Sequence, residues 1–422
     1  MILKKRFTFF LFSFFSVSLL FSQEGYPVWE EGVIEIHHIN TGRGDTCFMI
    51  LPDGTTMLID AGDMSETHPR TLSKRNEVQK PNNTKSAPEW IVDYIHQFSP
   101  KNRPVKLDYA MITHYHDDHF GEMDSLRKVA PGGYQLTGIM EVGTLIPLKK
   151  LIDRGFDYPI NLKDIKVQSQ KRFTTDKYGM IPTLKQYWKF IEFQKNKNGL
   201  IHETLKAGEC NQIKLLNKPN DYPEFKVQNI AVNGLIWTGE KNNTFSLFNE
   251  GEYPGENPLS TCIKISYGDF DYFTGGDING IDDIGSTNIN SLESQIAPVV
   301  GPVDVATFNH HGSRDSQNAF YVRSIRPRVW IQQNWSSDHP GDDVLRRILS
   351  KKLYPGDRDV FSTTMLQANK DVIGGNINNY KSQNEHIVLR VKKGGTSYDI
   401  YILNDNNKER EVLAKFGPYE SR

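Results

Sequence analysis

From Val33 onward the chain sorts its apolar and polar positions into short, well-separated runs. VIEIHHINTGRGDTCFMIL, the turn Pro52-Asp53-Gly54 and TTMLIDAG read as a meander of three strands, because β-branched runs are broken by Gly-rich and PDG turns. The period then changes. Trp90, Ile91, Tyr94, Ile95 and Phe98 recur at three- and four-residue spacing and predict a helix from Pro88 to Phe98. LDYAMITHYHDDH follows, a short apolar strand that runs straight into histidines and aspartates.

Residues from about 122 to 250 are less regular and read as an insert, in which Leu184, Tyr187, Trp188 and Ile191 of TLKQYWKFIEF keep helical spacing. Strand runs return at FKVQNIAVNGLIW, STCIKISYGDFDYFTGGD, VDVATFNHHGS and RPRVWIQQN, a helix is expected over DDVLRRILSKKL, and HIVLRVKKGGTSYDIYIL has a hairpin pattern. Strands with one or two helices between them predict a layered α/β sandwich. No repeat of solenoid period is present.

Composition narrows the class. With 37% hydrophobic, 24% charged and 11% aromatic residues, the 422-residue chain is an ordinary globular protein, neither disordered nor a disulfide-stapled scaffold. Residues 1–22 place Lys4-Lys5-Arg6 before the apolar FTFFLFSFFSVSLLF and Ser22, the anatomy of a cleaved secretory signal, so a secreted or periplasmic protein is expected over 23–422. No later segment is apolar enough to span a bilayer. Removing three basic residues leaves 47 basic against 51 acidic side chains, a net charge of −4 that attracts no polyanion globally. Locally the balance reverses: residues 149 to 198 hold twelve Lys/Arg and five Asp/Glu among Tyr158, Phe173, Tyr178, Tyr187, Trp188, Phe190 and Phe193. This stretch is either a solvated lysine face or a lid over an anionic substrate. Cys47, Cys210 and Cys262 are scattered and odd in number, which gives no disulfide framework.

The strongest chemistry lies in HYHDDH. His114, His116, Asp118 and His119 bring three imidazoles and a carboxylate within six residues, and such groups lose hydration and repel unless a cation holds them. On a tight loop, His114 and His116 can converge on one ion while Asp118 and His119 turn to a second. Imidazole with carboxylate suits Zn2+, Mn2+ or Fe2+.

THYHDDHFG resembles the H-x-H-x-D-H motif of the metallo-β-lactamase superfamily, with LIDAG (58–62) and FTGGD (273–277) similar to its other motifs in the same order. HINTGRGDTCFMILPDGTTMLIDAG, ENPLSTCIKISYGDFDYFTGGD, NHHGSRDS and DHPGDDVLRRI further resemble the hydrolase domain of the ComEC family of DNA-uptake competence proteins. Asn40, Thr41 and Arg43 depart from that family's usual Asp, Val and Gln, and the chain lacks the membrane channel region. The resemblance implies a four-layer αββα sandwich with an inserted segment. It also implies two divalent metals, Zn2+ first and Mn2+ second, held by His114, His116, Asp118, His119, Asp277 and one of His310 and His311. His310 is favoured as nearer the end of strand VDVATF, and Asp60 supports the metal loop without ligating. His202 is the one histidine between Gly121 and Asp277 that could add to the first metal, and an exposed position is the plainer account of it.

The implied activity is hydrolysis of a phosphodiester by a hydroxide activated between two metals. Asp118 would orient the nucleophile, Ser313 would donate to a substrate oxygen or cap a helix, and His339 would protonate the leaving group, bind phosphate or sit in a surface turn. The expected substrate is an anionic small molecule or polymer, nucleic acid included. Two alternatives stand beside it: a phosphorylcholine-esterase-like or other envelope ester hydrolase, and a metal-stabilised binding protein without turnover.

Overall fold

A computed structural model describes residues 25–171, 179–281 and 288–422. The expected signal, residues 1–22, lies outside the described residues, as do Phe173 and Tyr178 of the basic stretch. The chain is a mixed α/β protein built on two nine-stranded sheets.

The opening meander forms as its pattern predicts: β1 (Ile34–His38), β2 (Cys47–Ile50) and β3 (Thr56–Ile59) pair antiparallel, and β4 (Leu107–Met111), β5 (Leu148–Asp153) and β6 (Ile201–Thr204) continue the sheet in parallel. The second sheet takes β7 (Phe225–Val232), β8 (Leu235–Trp237), β9 (Thr244–Ser246), β10 (Cys262–Tyr267), β11 (Phe270–Thr274), β12 (Val305–Thr307), β13 (Val329–Gln332), β14 (Asp359–Ser362) and β15 (Tyr380–Ser382). The chain then returns to the first sheet, where β16 (His386–Val391) pairs with β1 and leads through β17 (Ser397–Leu403) to β18 (Val412–Glu420). The stretch 122–250, which looks inserted in the sequence, supplies β5 to β9 and so contributes to both sheets. Its runs look irregular because they are short and alternate with polar loops.

Side chains alternate across each strand, and the two faces go to different cores. Ile34, Ile36, Met49, Met57 and Met111 of the first sheet meet Val227, Ile263, Ile265, Val305 and Ile331 of the second in one buried cluster between the sheets. Phe48, Ile50 and Leu58 point the other way, against helices Ala87–Phe98, Gly138–Leu145 and Met180–Asn198. On the far side of the second sheet, Phe273, Ala306 and Trp330 pack against helices Leu292–Val300, Ala319–Ile325 and Asp342–Leu349. Helix Ala87–Phe98 starts at a capping box, Ser86 with Glu89, and buries the Trp90, Ile91, Tyr94, Ile95 and Phe98 stripe. Each such side chain contributes ~1.5–3 kcal/mol through burial. Cys47 and Cys262 are buried free thiols.

Among the described residues no helix is long and apolar enough to cross a membrane.

Candidate metal centre

The carboxyl ends of β4, β11 and β12 converge, and the loops that leave them carry the histidines and aspartates. After β4 the chain turns through His114 and His116 into a single helical turn, Asp117–Phe120. Two glycine turns cradle this loop. A Cβ on Gly44 would lie 2.1 Å from the Asp118 carbonyl oxygen and one on Gly62 2.2 Å from it, so only glycine allows the approach. The gap is closed by backbone bonds: Asp45 N donates to Asp118 O at 2.8 Å, and Ala61 N to His119 O at 2.7 Å. GRGD and LIDAG therefore fix the loop's position before any side chain acts.

Two ligand groups result. Asp118, His119, Asp277 and His311 form one, fully buried, and His114, His116 and Asp277 the other. In the first, His119 Nε2 lies 3.2 Å from Asp277 Oδ1 and 3.4 Å from His311 Nε2, while His311 Nε2 lies 3.2 Å from Asp118 Oδ2 and 3.3 Å from Asp277 Oδ2. In the second, His114 Nε2 is 3.1 Å from His116 Nδ1 and 3.7 Å from Asp277 Oδ2. The four-residue group could hold a metal ion: two imidazole nitrogens and two carboxylates face one buried point, the donor chemistry that divalent transition metals take.

The outer atoms of the rings are engaged in the way such a site requires. Asp60 Oδ2 accepts from His119 Nδ1 at 2.8 Å and from Thr113 Oγ1 at 2.7 Å, and its Oδ1 accepts from Thr113 N. His311 Nδ1 faces the Gln333 carbonyl oxygen at 3.2 Å and Asp45 Oδ1 at 3.1 Å. With Nδ1 of both rings held by these outer acceptors, each Nε2 faces the buried point. Trp335 Nε1 donates to Asp118 Oδ2 at 3.0 Å.

The charges answer one another. Burial raises the Asp118 and Asp277 carboxyls, but His119 and His311 outweigh it and hold both well below the usual carboxylate range. Burial likewise lowers the His119 and His311 rings, yet Asp277 with Asp118 or Asp45 holds both well above the ordinary imidazole value. His114, buried beside His119, is pushed well down. In an imidazolium–carboxylate lattice of this kind the carboxylates are already ionised, and a cation would displace protons from the imidazole rings.

The histidine pair of the HHGS segment is sorted by its backbone. His310 and His311 both occupy the left-handed region, φ 46° and 53°, which is rare for non-glycine residues, and their ring centroids lie 6.2 Å apart at 58°. His311, rather than the favoured His310, enters the four-residue buried group. His310 Nδ1 bonds Asp315 at 2.7 Å and its Nε2 faces Asn257, with Asp277 Oδ2 4.0 Å away.

No protein-family model matches this chain, and no curated protein does. Among solved structures, a protein of unknown function from Enterococcus faecalis V583 aligns with 83% of this chain at 12% identity and a TM-score of 0.29; this chain spans 64% of that protein's length.

A cleft of about 580 Å³ opens on the centre, lined by His116, Asp118, His310, His311, Trp335 and His339 among others. His339 stacks on His311 at 5.4 Å; its buried Nδ1 has no hydrogen-bond partner among the described residues, and burial pushes the ring down to about 3, so it is neutral. Ser313 sits in an adjoining cleft of about 670 Å³ with Arg314 and Asn257. Ser313 does not cap the following helix; Asn318 does. His202 Nε2 bonds Asp153 at 2.8 Å on β6 and belongs to neither ligand group.

The basic stretch lies mostly elsewhere. Leu184, Tyr187, Phe190 and Ile191 are core residues under the first sheet's helix layer, and Lys185, Lys189, Lys195 and Lys197 are exposed on its solvent side. Trp188 and Phe156 stack under Lys163. Among the described residues of the stretch, the helix start, Gly179, Met180 and Thr183, reaches a cleft shared with His116 and Asp117.

Several residues escaped the sequence reading. Asp45 is the one with a visible signal, an acidic residue closing a Gly-rich turn between strands. Trp335 carried none, and Thr113 and Asn257 lie within THYHDDHFG and ENPLSTCIKISYGDFDYFTGGD without a chemistry of their own to mark them.

Proposed function

We propose that the chain is a secreted or periplasmic hydrolase of the metallo-β-lactamase type, a four-layer αββα sandwich that uses two divalent metal ions, Zn2+ first and Mn2+ second, to cleave phosphodiesters. One observation carries the reading: the two ligand groups share a single carboxylate, Asp277, and are assembled from the ends of β4, β11 and β12. A bridging carboxylate is what a pair of cations needs to sit close without repelling. Asp118, His119, Asp277 and His311 would hold one ion, and His114, His116 and Asp277 the other. When bound, such ions supply Lewis-acid polarisation of the scissile group and make water acidic enough to attack near neutral pH.

The chain's own residues supply the rest. Trp335 donates to Asp118 Oδ2, and Asp118, which borders the cleft, would orient an attacking water. His339 borders the same cleft as a neutral ring and presents a nitrogen to a substrate oxygen. Ser313 and Arg314 line the adjoining cleft and offer a hydroxyl and a guanidinium to an anionic substrate, nucleic acid among the candidates. The exposed lysines of 180–198 line neither this cleft nor the one that the helix start shares with His116, and we assign them no part in substrate recognition.

The test is turnover by the purified protein with Zn2+ or Mn2+ on bis(p-nitrophenyl) phosphate, phosphorylcholine esters, single-stranded DNA and nitrocefin, with a His116→Ala/Asp118→Ala control. Cleavage of a phosphodiester, abolished in the control, is expected. Cleavage of nitrocefin alone would overturn the substrate class, and stoichiometric metal without turnover on any substrate would favour a binding protein.

A further inference from the structure

The two ligand groups are unequal: one offers four donors and the other three. What borders the poorer group is the turn at Glu256–Leu259, pinned to the histidine loop at two points. Glu256 Oε1 accepts from Tyr115 N at 3.0 Å, and Thr261 N donates to Thr113 O at 3.0 Å. Glu256 is itself locked by Arg154, whose Nη2 lies 2.8 Å from Oε2, and by Tyr253 Oη at 2.7 Å. This buried clamp leaves the next residue, Asn257, in the cleft wall beside His116 and Asp277.

A relay then orients the Asn257 amide. Asp315 Oδ1 lies 2.7 Å from His310 Nδ1, and a carboxylate partner puts the ring proton on that nitrogen. His310 Nε2 is left as an acceptor, 3.0 Å from Asn257 Nδ2, which donates to it. The other end of the amide is thereby committed. Asn257 Oδ1 is buried and has no hydrogen-bond partner among the described residues, whereas buried acceptors are nearly always satisfied.

We propose that Asn257 Oδ1 is the fourth ligand of the His114/His116/Asp277 group, with His310 and Asp315 as positioning residues. This rests on the two-metal reading and adds to it an order of affinity. A carboxamide oxygen is a neutral, hard donor, so the ion it completes is the weaker bound of the two and the more tolerant of Mn2+. The tandem histidines thus divide their work: His311 ligates one ion, and His310 aims a ligand at the other.

The experiment titrates metal-free full chain with Zn2+ and with Mn2+ against a chromophoric chelator, for wild type, Asn257→Ala, Asn257→Asp and Asp315→Asn, with thermal unfolding as the fold control. Wild type should bind two equivalents. Asn257→Ala should leave the tighter one unchanged and weaken the other at least about tenfold, Asn257→Asp should keep both, and Asp315→Asn should weaken the second by a smaller factor. Two wild-type equivalents with Asn257→Ala unchanged, or weakened equally at both, would overturn the Asn257 assignment alone. Fewer than two equivalents in wild type would overturn the two-metal reading and the assignment with it. Should Asn257→Ala not fold, loss of the second equivalent in Asn257→Asp, or no change in Asp315→Asn, overturns the assignment.

Discussion

The loop His114–His119 and the corner Asn309–Gly312 reach the same centre by opposite means. The loop takes ordinary backbone angles, is cradled by Gly44 and Gly62, and sends His114, His116, Asp118 and His119 inward at the spacing its strand-to-helix turn allows. The corner holds two adjacent non-glycine residues in left-handed conformation and gives two chemically identical side chains different partners, Asp315 for His310 and the Gln333 carbonyl for His311. Spacing therefore suffices to read a ligand set on a regular loop. Where backbone strain does the sorting, it does not.

The largest effect that would test this contrast comes from Asp277, the residue that both ligand groups share. Asp277→Ala should release both ions and lower turnover more than about 100-fold, measured by metal content after dialysis and by steady-state rates. Next comes the division within the corner. His311→Ala should lose one full equivalent, whereas His310→Ala should keep that equivalent and affect only the other, as read in the same chelator competition; equal losses would erase the distinction between the two rings. On the loop side, Asp60→Ala frees the His119 ring, and metal affinity should fall about 10–100-fold with the fold intact by circular dichroism.

A smaller effect concerns what props the corner up. Glu293 accepts from Asn309 Nδ2 at 2.8 Å and from the backbone of Gln317 and Asn318, and burial pushes it up from 4.5 to about 7. The folded protein then keeps a proton that the unfolded chain releases, so this group's contribution is full below about pH 4.5 and is lost as pH rises through about 7. Denaturant unfolding at pH 5 and pH 8 should show stability falling by up to about 3 kcal/mol from this group, and a flatter profile in Glu293→Gln. The smallest effect is expected far from both regions: Lys189→Glu/Lys195→Glu on the exposed helix face should change kcat/KM for an anionic substrate less than about twofold. A larger loss would return that helix to the substrate path.

Much of this molecule is written in its local pattern. The opening meander, the Pro88–Phe98 stripe, the β10–β11 and β16–β17 hairpins and the donor cluster after β4 all follow from short-range periodicity and turn chemistry, which act within a few residues and so survive in a linear string. Tertiary structure alone decided that 122–250 would supply strands to both sheets, that the lysines near 190 would face solvent, that His311 would displace His310, and that Asn257, Asp45 and Trp335 would stand beside the centre. Each of those outcomes depends on a backbone torsion or on a contact between segments far apart in the chain, such as Trp335 with Asp118, 217 positions apart. Pairings across that distance are selected by packing of the whole fold, and no local pattern encodes them.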